Sequence, residues 1–395
     1  KLKGHNLLMT AIGDDVAYWL SSAMRGILLA DYSFDKYHSD KKDSPELNLG
    51  ILTGVDSASF KKEEQYSHMM ASAVALARDL VNEPANVMTP SALAAAAKEV
   101  CDKQNIKCTI LGREDCEALG MNAFLAVAKG SSQAPKLIVM EYNGRVTDEE
   151  KIALIGKGIC FDAGGYNLKP SASIKGMHGD MGGAAAVIAA MGAIAQAKLG
   201  INVTAVIPAC ENMVSDKAMK PGDIVASMNG KYIEVANTDA EGRMALADAI
   251  TYAIRECGAT SIIDVATLTG ACEVALGSRY TGVFSNSDEL VAKLVQASIL
   301  AGENIWRMPL GDDEYKDLNV SSVADIANCG TQCGAIAAAR FLNEFVERKP
   351  WIHMDIAGTS DSDADTEIYS KGGTGVSAMT LYEFVKLMEK PYKSY

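Results

Sequence analysis

From residue 107 onward, short apolar runs alternate with longer helical patterns, and this alternation restricts the chain to few architectures. Runs at 107–111, 136–142, 152–156, 201–207, 261–266 and 351–356 have the length and composition of strands. Helical periodicity occupies 90–103, 180–197, 243–256, 287–301, 333–347 and 376–389. Such alternation predicts an α/β fold with a largely parallel sheet flanked by helices. Asn229-Gly230, between two short β-type runs, predicts a hairpin, so the sheet is expected to be mixed. Thr89 followed by Pro90 is a favoured helix start. Upstream, 14–30 reads as a helix, 34–46 as a polar loop and 47–55 as a strand. The expected organisation is part of a smaller α/β N-terminal domain over 1–61, a linking helix over 62–82, and the main domain over 83–395.

The chain of 395 residues carries a net charge of −13, which disfavours nucleic acid and anionic membrane as partners, since both select basic surfaces. The longest apolar run, 184–195, contains Gly192 and is too short to span a bilayer, so it predicts a buried helix. The opening residues Lys1 to Asn6 lack the apolar stretch of a signal peptide. Nine cysteines are scattered, and Cys329 with Cys333 matches no common zinc spacing. They read as reduced core residues of a cytoplasmic protein.

The chemistry concentrates in three segments. Residues 237–243 read Asn-Thr-Asp-Ala-Glu-Gly-Arg. In extended backbone, residues two apart point the same way, which aims Asp239 and Glu241 at one place. Residues 155–170 supply Lys157, Asp162 and Lys169, and 177–183 supply Asp180. Clustering these carboxylates without a counterion is unfavourable, because one like-charge pair at ~4 Å costs roughly 4 kcal/mol at an effective dielectric of 20. Four carboxylates match the charge of two divalent ions, which in a two-metal site stand about 3.5–4 Å apart and activate a shared water.

Four motifs carry a family resemblance: Asn-Thr-Asp-Ala-Glu-Gly-Arg, Gly-Lys-Gly-x-x-Phe-Asp-x-Gly-Gly, Asp-Met-Gly-Gly, and Cys-Glu-Asn-Met at 210–213. With these, the chain resembles the leucyl (cytosol) aminopeptidases, dinuclear metallopeptidases, in register from about residue 75 to the C-terminus. The resemblance implies that Lys157, Asp162, Asp180, Asp239 and Glu241 are metal ligands, with Asp162 and Glu241 bridging. It implies that Lys169 stabilises the oxyanion and that Arg243 holds a bicarbonate serving as general base. Met177, Thr267, Leu268 and Gly270 match positions lining the pocket for the first residue of a peptide, and their small or apolar character suits leucine or methionine. The implied cofactors are Zn²⁺ or Mn²⁺, with Co²⁺ or Mg²⁺ also compatible with oxygen-rich ligands. The implied partners are peptide substrates and five further copies in a homohexamer. The family's N-terminal domain is larger than the portion present here and sits away from the chemistry.

Each residue also has a plainer role. Asp180 suits a helix N-cap, and Asp239 and Glu241 suit a helix N-terminus. Asp162 before Gly-Gly suits a turn. Lys157 suits a salt bridge; as a ligand it must be neutral, which neighbouring dications and burial would achieve. Lys169 suits an exposed site before Pro170, and Met177 and Leu268 suit core packing. His178 adjoins the Asp180 segment without an assigned role. Three departures from the family pattern stand out. Ala163 replaces the usual serine, the stretch 329–334 is short, and Gly-Gly-Tyr-Asn-Leu-Lys lies nearer plant and protozoan members, kinetoplastid ones included, than mammalian ones. A DNA-binding role conflicts with the net charge, a phosphatase would want histidine ligands, and no P-loop motif occurs.

Overall fold

The computed structural model describes residues 6–11, 16–40, 48–145, 150–311, 319–330 and 334–389. Residues 331–333, with Cys333, residues 41–46 of the 34–46 loop and residue 47 of the expected 47–55 strand lie outside the described residues.

The N-terminal part is a parallel pair, β1 (Asn6–Ala11) and β2 (Asn48–Thr53), joined through α1 (Val16–Ala30). The helix expected at 62 starts earlier, as α2 (Ser57–Asn82), because the Asp56 side chain accepts hydrogen bonds from the backbone N–H groups of Ala58 and Ser59. Next, α3 (Pro90–Gln104) begins at the Thr89 cap and ends at Asn105 in the left-handed region, φ 54°. The chain continues through β3 (Lys107–Leu111), α4 (Arg113–Ala118), α5 (Asn122–Ala128), β4 (Lys136–Asn143), β5 (Lys151–Gly156), β6 (Gly158–Asp162), α6 (Ser171–Ile174), α7 (Gly182–Gln196) and β7 (Asn202–Asn212). It then runs through β8 (Ile224–Ala226), β9 (Tyr232–Glu234), α8 (Glu241–Arg255), β10 (Ser261–Ala266), α9 (Gly270–Leu276), β11 (Thr281–Ser285), α10 (Asp288–Ala301), β12 (Ile305–Arg307) and β13 (Ile326–Ala327). The last elements are α11 (Gly334–Asn343), β14 (Trp351–Asp355), the short pair β15 (Asp361–Ser362) and β16 (Gly372–Gly373), and α12 (Ala378–Met388).

The central sheet is mixed and largely parallel, in the order β12-β11-β14-β10-β5-β7-β4-β3, with β6 also on β7. Its antiparallel pairs are β3 with β4, β4 with β7, and β11 with β14. The hairpin forms as expected, with Gly230 at φ 95°, but in a separate three-stranded sheet with β13. The sheet is therefore mixed for a different reason from the one the hairpin suggested. Two apolar layers flank it: α2, α3, α7, α10 and α12 cover one face, and α5, α8 and α11 the other. The apolar run at 184–195 is the buried α7, and no described helix is long and apolar enough to cross a membrane.

Two features bring the site together. The long strand β7 pairs with β5 along residues 202–206 and with β6 along 209–212, so the chain steps at Lys157 between two strands. Lys157 N–H donates to the Val265 carbonyl at 3.0 Å, and its own carbonyl accepts from Ala184 N–H at 2.9 Å. The start of α7 can lie on these strand ends only because glycines face each other there. A Cβ at Gly156 would stand 2.6 Å from Ala184 Cα, and one at Gly183 would collide with the Val265 carbonyl.

Candidate metal centre

Asp162 ends β6, Glu241 opens α8, and Asp239 lies in the loop just before it. One oxygen from each of these three carboxylates lies within 4.8 Å of the others. Lys157 Nζ stands 2.8 Å from Asp180 Oδ1 and 3.0 Å from Glu241 Oε1, and it donates to the Thr267 carbonyl at 2.9 Å. Lys169 Nζ stands 2.8 Å from Asp162 Oδ2 and 2.7 Å from Asp239 Oδ1. All five expected ligands and Lys169 thus form one cluster at the ends of β5, β6 and β10. Asp239 and Lys169 are its partly exposed members, and Lys157, Asp162, Asp180 and Glu241 are buried.

Burial without enough positive charge strains this cluster. Burial, then the nearby Asp162, pushes the Glu241 carboxyl up to about 8. Burial likewise raises Asp180 to about 6, and raises Asp239. Burial pulls the Lys157 ammonium down, but Asp180, Glu241 and Asp162 together outweigh it and hold the charge. For Lys169, burial is outweighed in the same way, first by Asp162. Asp180 Oδ2 and Glu241 Oε2 are buried without a hydrogen-bond partner. Buried polar atoms normally find partners, so these two oxygens have capacity for a cation. Hard oxygen donors with one amine fit a divalent ion.

The plainer roles fare differently. Asp180 is not the cap of α7, since Met181 holds that position without a side-chain bond. Glu241 does lie in the first turn of α8, where a carboxylate is favoured. Lys169 is no surface residue, because both its partners belong to the cluster. Arg243 is buried, donates from Nη1 to the Asn328 carbonyl at 2.8 Å, and leaves its Nε without a partner. Burial lowers its pKa. A buried guanidinium with an unused N–H fits a small anion. His178 sits in the 3-10 turn 177–179; burial lowers its pKa, opposed by Asp361.

Of the expected pocket residues, Met177 is partly buried in that same turn. Thr267 is tied directly to the cluster: its hydroxyl donates to Asp180 Oδ1 at 2.6 Å and its carbonyl accepts from Lys157. Leu268 packs partly against the core layer on the α8 face. Gly270 is exposed and has open space where a Cβ would be.

Three residues without a role in the sequence reading organise the site. Asn212, at the end of β7, donates from Nδ2 to Asp162 Oδ1 at 2.8 Å and to the Thr238 carbonyl at 3.0 Å. It thereby ties β6 to the loop carrying Asp239. Asp162 Oδ1 also accepts from Gly164 N–H at 2.9 Å, so the Ala163 methyl leaves this carboxylate supported. Thr238 and Asn167 interlock: Asn167 N–H donates to Thr238 Oγ1 and Thr238 N–H to Asn167 Oδ1, each at 2.8 Å. The quoted Cys-Glu-Asn-Met motif contained the signal for Asn212, and 237–243 contained Thr238. For Asn167 the only signal was its place between Gly165 and Lys169.

Known proteins share this arrangement of sequence and fold. The family model described as "Cytosol aminopeptidase family, catalytic domain" matches residues 75–382. The "Probable cytosol aminopeptidase" of Alkaliphilus oremlandii is 49% identical, over 98% of this chain and 79% of its own length. That of Clostridium tetani is 47% identical, over 93% of this chain and 77% of its own. Among solved structures, the "Bottromycin maturation enzyme BotP in complex with Mn" superposes with a TM-score of 0.90 at 34% identity, covering 98% of this chain and 84% of the other.

Proposed function

The chain belongs to the cytosol aminopeptidase family, metal-dependent hydrolases of N-terminal peptide bonds, and from that premise we propose that it removes leucine and similar apolar first residues from peptides through a two-metal site. The observation that carries this reading is the single buried cluster of Lys157, Asp162, Asp180, Asp239 and Glu241, with Asp180 Oδ2 and Glu241 Oε2 unpartnered inside it. Asp162, Asp239 and Glu241 would hold one ion. Lys157 and Asp180, with Asp162 and Glu241 shared, would hold the second. The ions would be Zn²⁺ or Mn²⁺, with Co²⁺ or Mg²⁺ as alternatives. When bound, they supply Lewis acidity to the scissile carbonyl and make a bridging water acidic enough to attack near neutral pH, while bicarbonate on Arg243 supplies the base.

The remaining work falls to the chain itself. Lys157 would serve as a ligand in its neutral form, its proton released to solvent as the charge of a dication replaces its own among the carboxylates. Lys169, held by Asp162 and Asp239, keeps its proton and donates to the oxygen that becomes negative as the peptide carbonyl is attacked. Arg243 offers its unpartnered Nε to the anion. Met177, Thr267, Leu268 and Gly270 receive the first side chain. Sequence organisation supports a catalytic domain over 83–395, preceded by the linking helix α2 and a smaller N-terminal α/β region before it. A homohexamer acting in the cytoplasm on peptides completes the proposal.

Hydrolysis of leucine amide by chelated protein, before and after adding Zn²⁺ or Mn²⁺, tests it with Asp239→Ala alongside. Activity should return with metal in the unmutated protein only. Folded protein that stays inactive with every metal would overturn the reading, and a monomer by light scattering would overturn the hexamer.

A further inference from the structure

Asp355 ends β14 beside Ala266, the last residue of β10, and is 1% exposed. Its Oδ1 accepts from Leu268 N–H at 3.1 Å, Thr269 N–H at 3.4 Å and Ala357 N–H at 3.2 Å. Its Oδ2 accepts from the Thr269 hydroxyl at 2.6 Å. That hydroxyl oxygen accepts in turn from Cys272 N–H at 3.1 Å, which caps α9. One buried carboxylate therefore gathers the backbone of the loop between β10 and α9. The other end of the same loop reaches the metal centre, where the Thr267 carbonyl and hydroxyl meet Lys157 and Asp180.

A carboxylate removed from water is costly unless its lone pairs are filled, and here four donors fill them, three from Leu268 and Thr269 and one from Ala357 N–H just beyond Asp355 itself. No neutral side chain of this size offers as many acceptor sites in that shape. We infer that Asp355 is a positioning residue: it sets where Thr267–Gly270 stands relative to the carboxylate cluster, and so the shape of the pocket for the substrate's first side chain. The inference rests on the proposed aminopeptidase reading for its consequence in specificity, though the loop anchoring itself does not. Asparagine keeps one acceptor oxygen for Leu268 and Ala357 but turns a donor toward Thr269. Alanine leaves every donor without an acceptor.

Two readouts on the Mn²⁺-loaded protein separate these claims. Steady-state kinetics compares leucine and alanine anilides for wild type, Asp355→Ala and Asp355→Asn. In Asp355→Ala, kcat/KM for leucine should fall about 30-fold, mainly through KM, and for alanine by less than about fivefold, with Asp355→Asn between. Hydrogen exchange should show the Leu268 and Thr269 amides at least about tenfold faster in Asp355→Ala at unchanged global stability. If Asp355→Ala does not fold, Asp355→Asn carries both readouts with smaller shifts in the same direction. Equal losses on both substrates, or undiminished protection of those amides in a folded variant, would overturn the inference. Wild type that cleaves neither anilide would sink the aminopeptidase reading instead, while exchange would still decide whether Asp355 holds the loop.

Discussion

A Cβ on Gly242 would stand 2.7 Å from Nζ of Lys157, so the first turn of α8 leaves room for that lysine only where residue 242 has no side chain. The glycine in Asn-Thr-Asp-Ala-Glu-Gly-Arg thus serves the packing of a residue 85 positions away, 242 against 157.

Gly242→Ala should push Lys157 out of contact with Glu241. Overpacking of this kind costs about 1–3 kcal/mol, which urea unfolding will read. Because the displaced group is a proposed ligand, kcat/KM on leucine amide should drop by more than about tenfold as well.

Asn212→Ala removes the donor shared by Asp162 Oδ1 and the Thr238 carbonyl. Leaving buried acceptors short of a partner costs about 1–3 kcal/mol. Loss of a residue that orients a ligand weakens metal affinity by about 10–100-fold, so Mn²⁺ calorimetry should show the weakening even where activity is not measured.

Lys169→Met should retain bound metal but lower kcat by about 100-fold or more, the usual loss when an oxyanion donor is removed. KM should change little if Lys169 acts mainly on developing charge. A variant with normal kcat would show that Lys169 serves only to neutralise Asp162 and Asp239.

Glu303 makes stability depend on pH. Its carboxylate caps the start of α12, accepting from Ser377 N–H and Thr380 N–H at 3.1 Å each. Burial pushes its pKa up from 4.5 to about 7, against the lowering effect of those hydrogen bonds. Between these values the folded chain keeps a proton that the unfolded chain has released, so unfolding free energy falls as pH rises. The contribution is whole below pH 4.5 and gone above about 7. Glu303→Gln stays neutral, so wild type should lose on the order of 2 kcal/mol more than the variant between pH 4.5 and 7.5 in urea titrations.

Local pattern carried much of this fold. Residue period marks strand and helix, so β3, β4, β5, β7, β10 and β14 and the helices α3, α7, α8, α10, α11 and α12 were legible, whereas α4, α5, α6 and α9, too short to show a period, were not. The short β6 and β11 were not, since a five-residue apolar run beside glycine lacks a period to detect. The start of α2 escaped for a related reason. Its first turns are polar and exposed, and only the Asp56 cap marks them.

By itself the sequence determined which residue types could form a metal centre and that Lys157, Asp162, Asp180, Asp239 and Glu241 belong to three compact motifs, because side-chain chemistry and short spacing are local properties. Convergence was decided by the tertiary structure. The step from β5 to β6 along β7 and the glycine contact of α7 with the strand ends bring the three motifs into one buried cluster. The supporting roles of Asn212 and Asp355 were decided there too. A single polar residue at a strand end has no distinguishing pattern, and its meaning comes from donors on segments that strand register sets beside it.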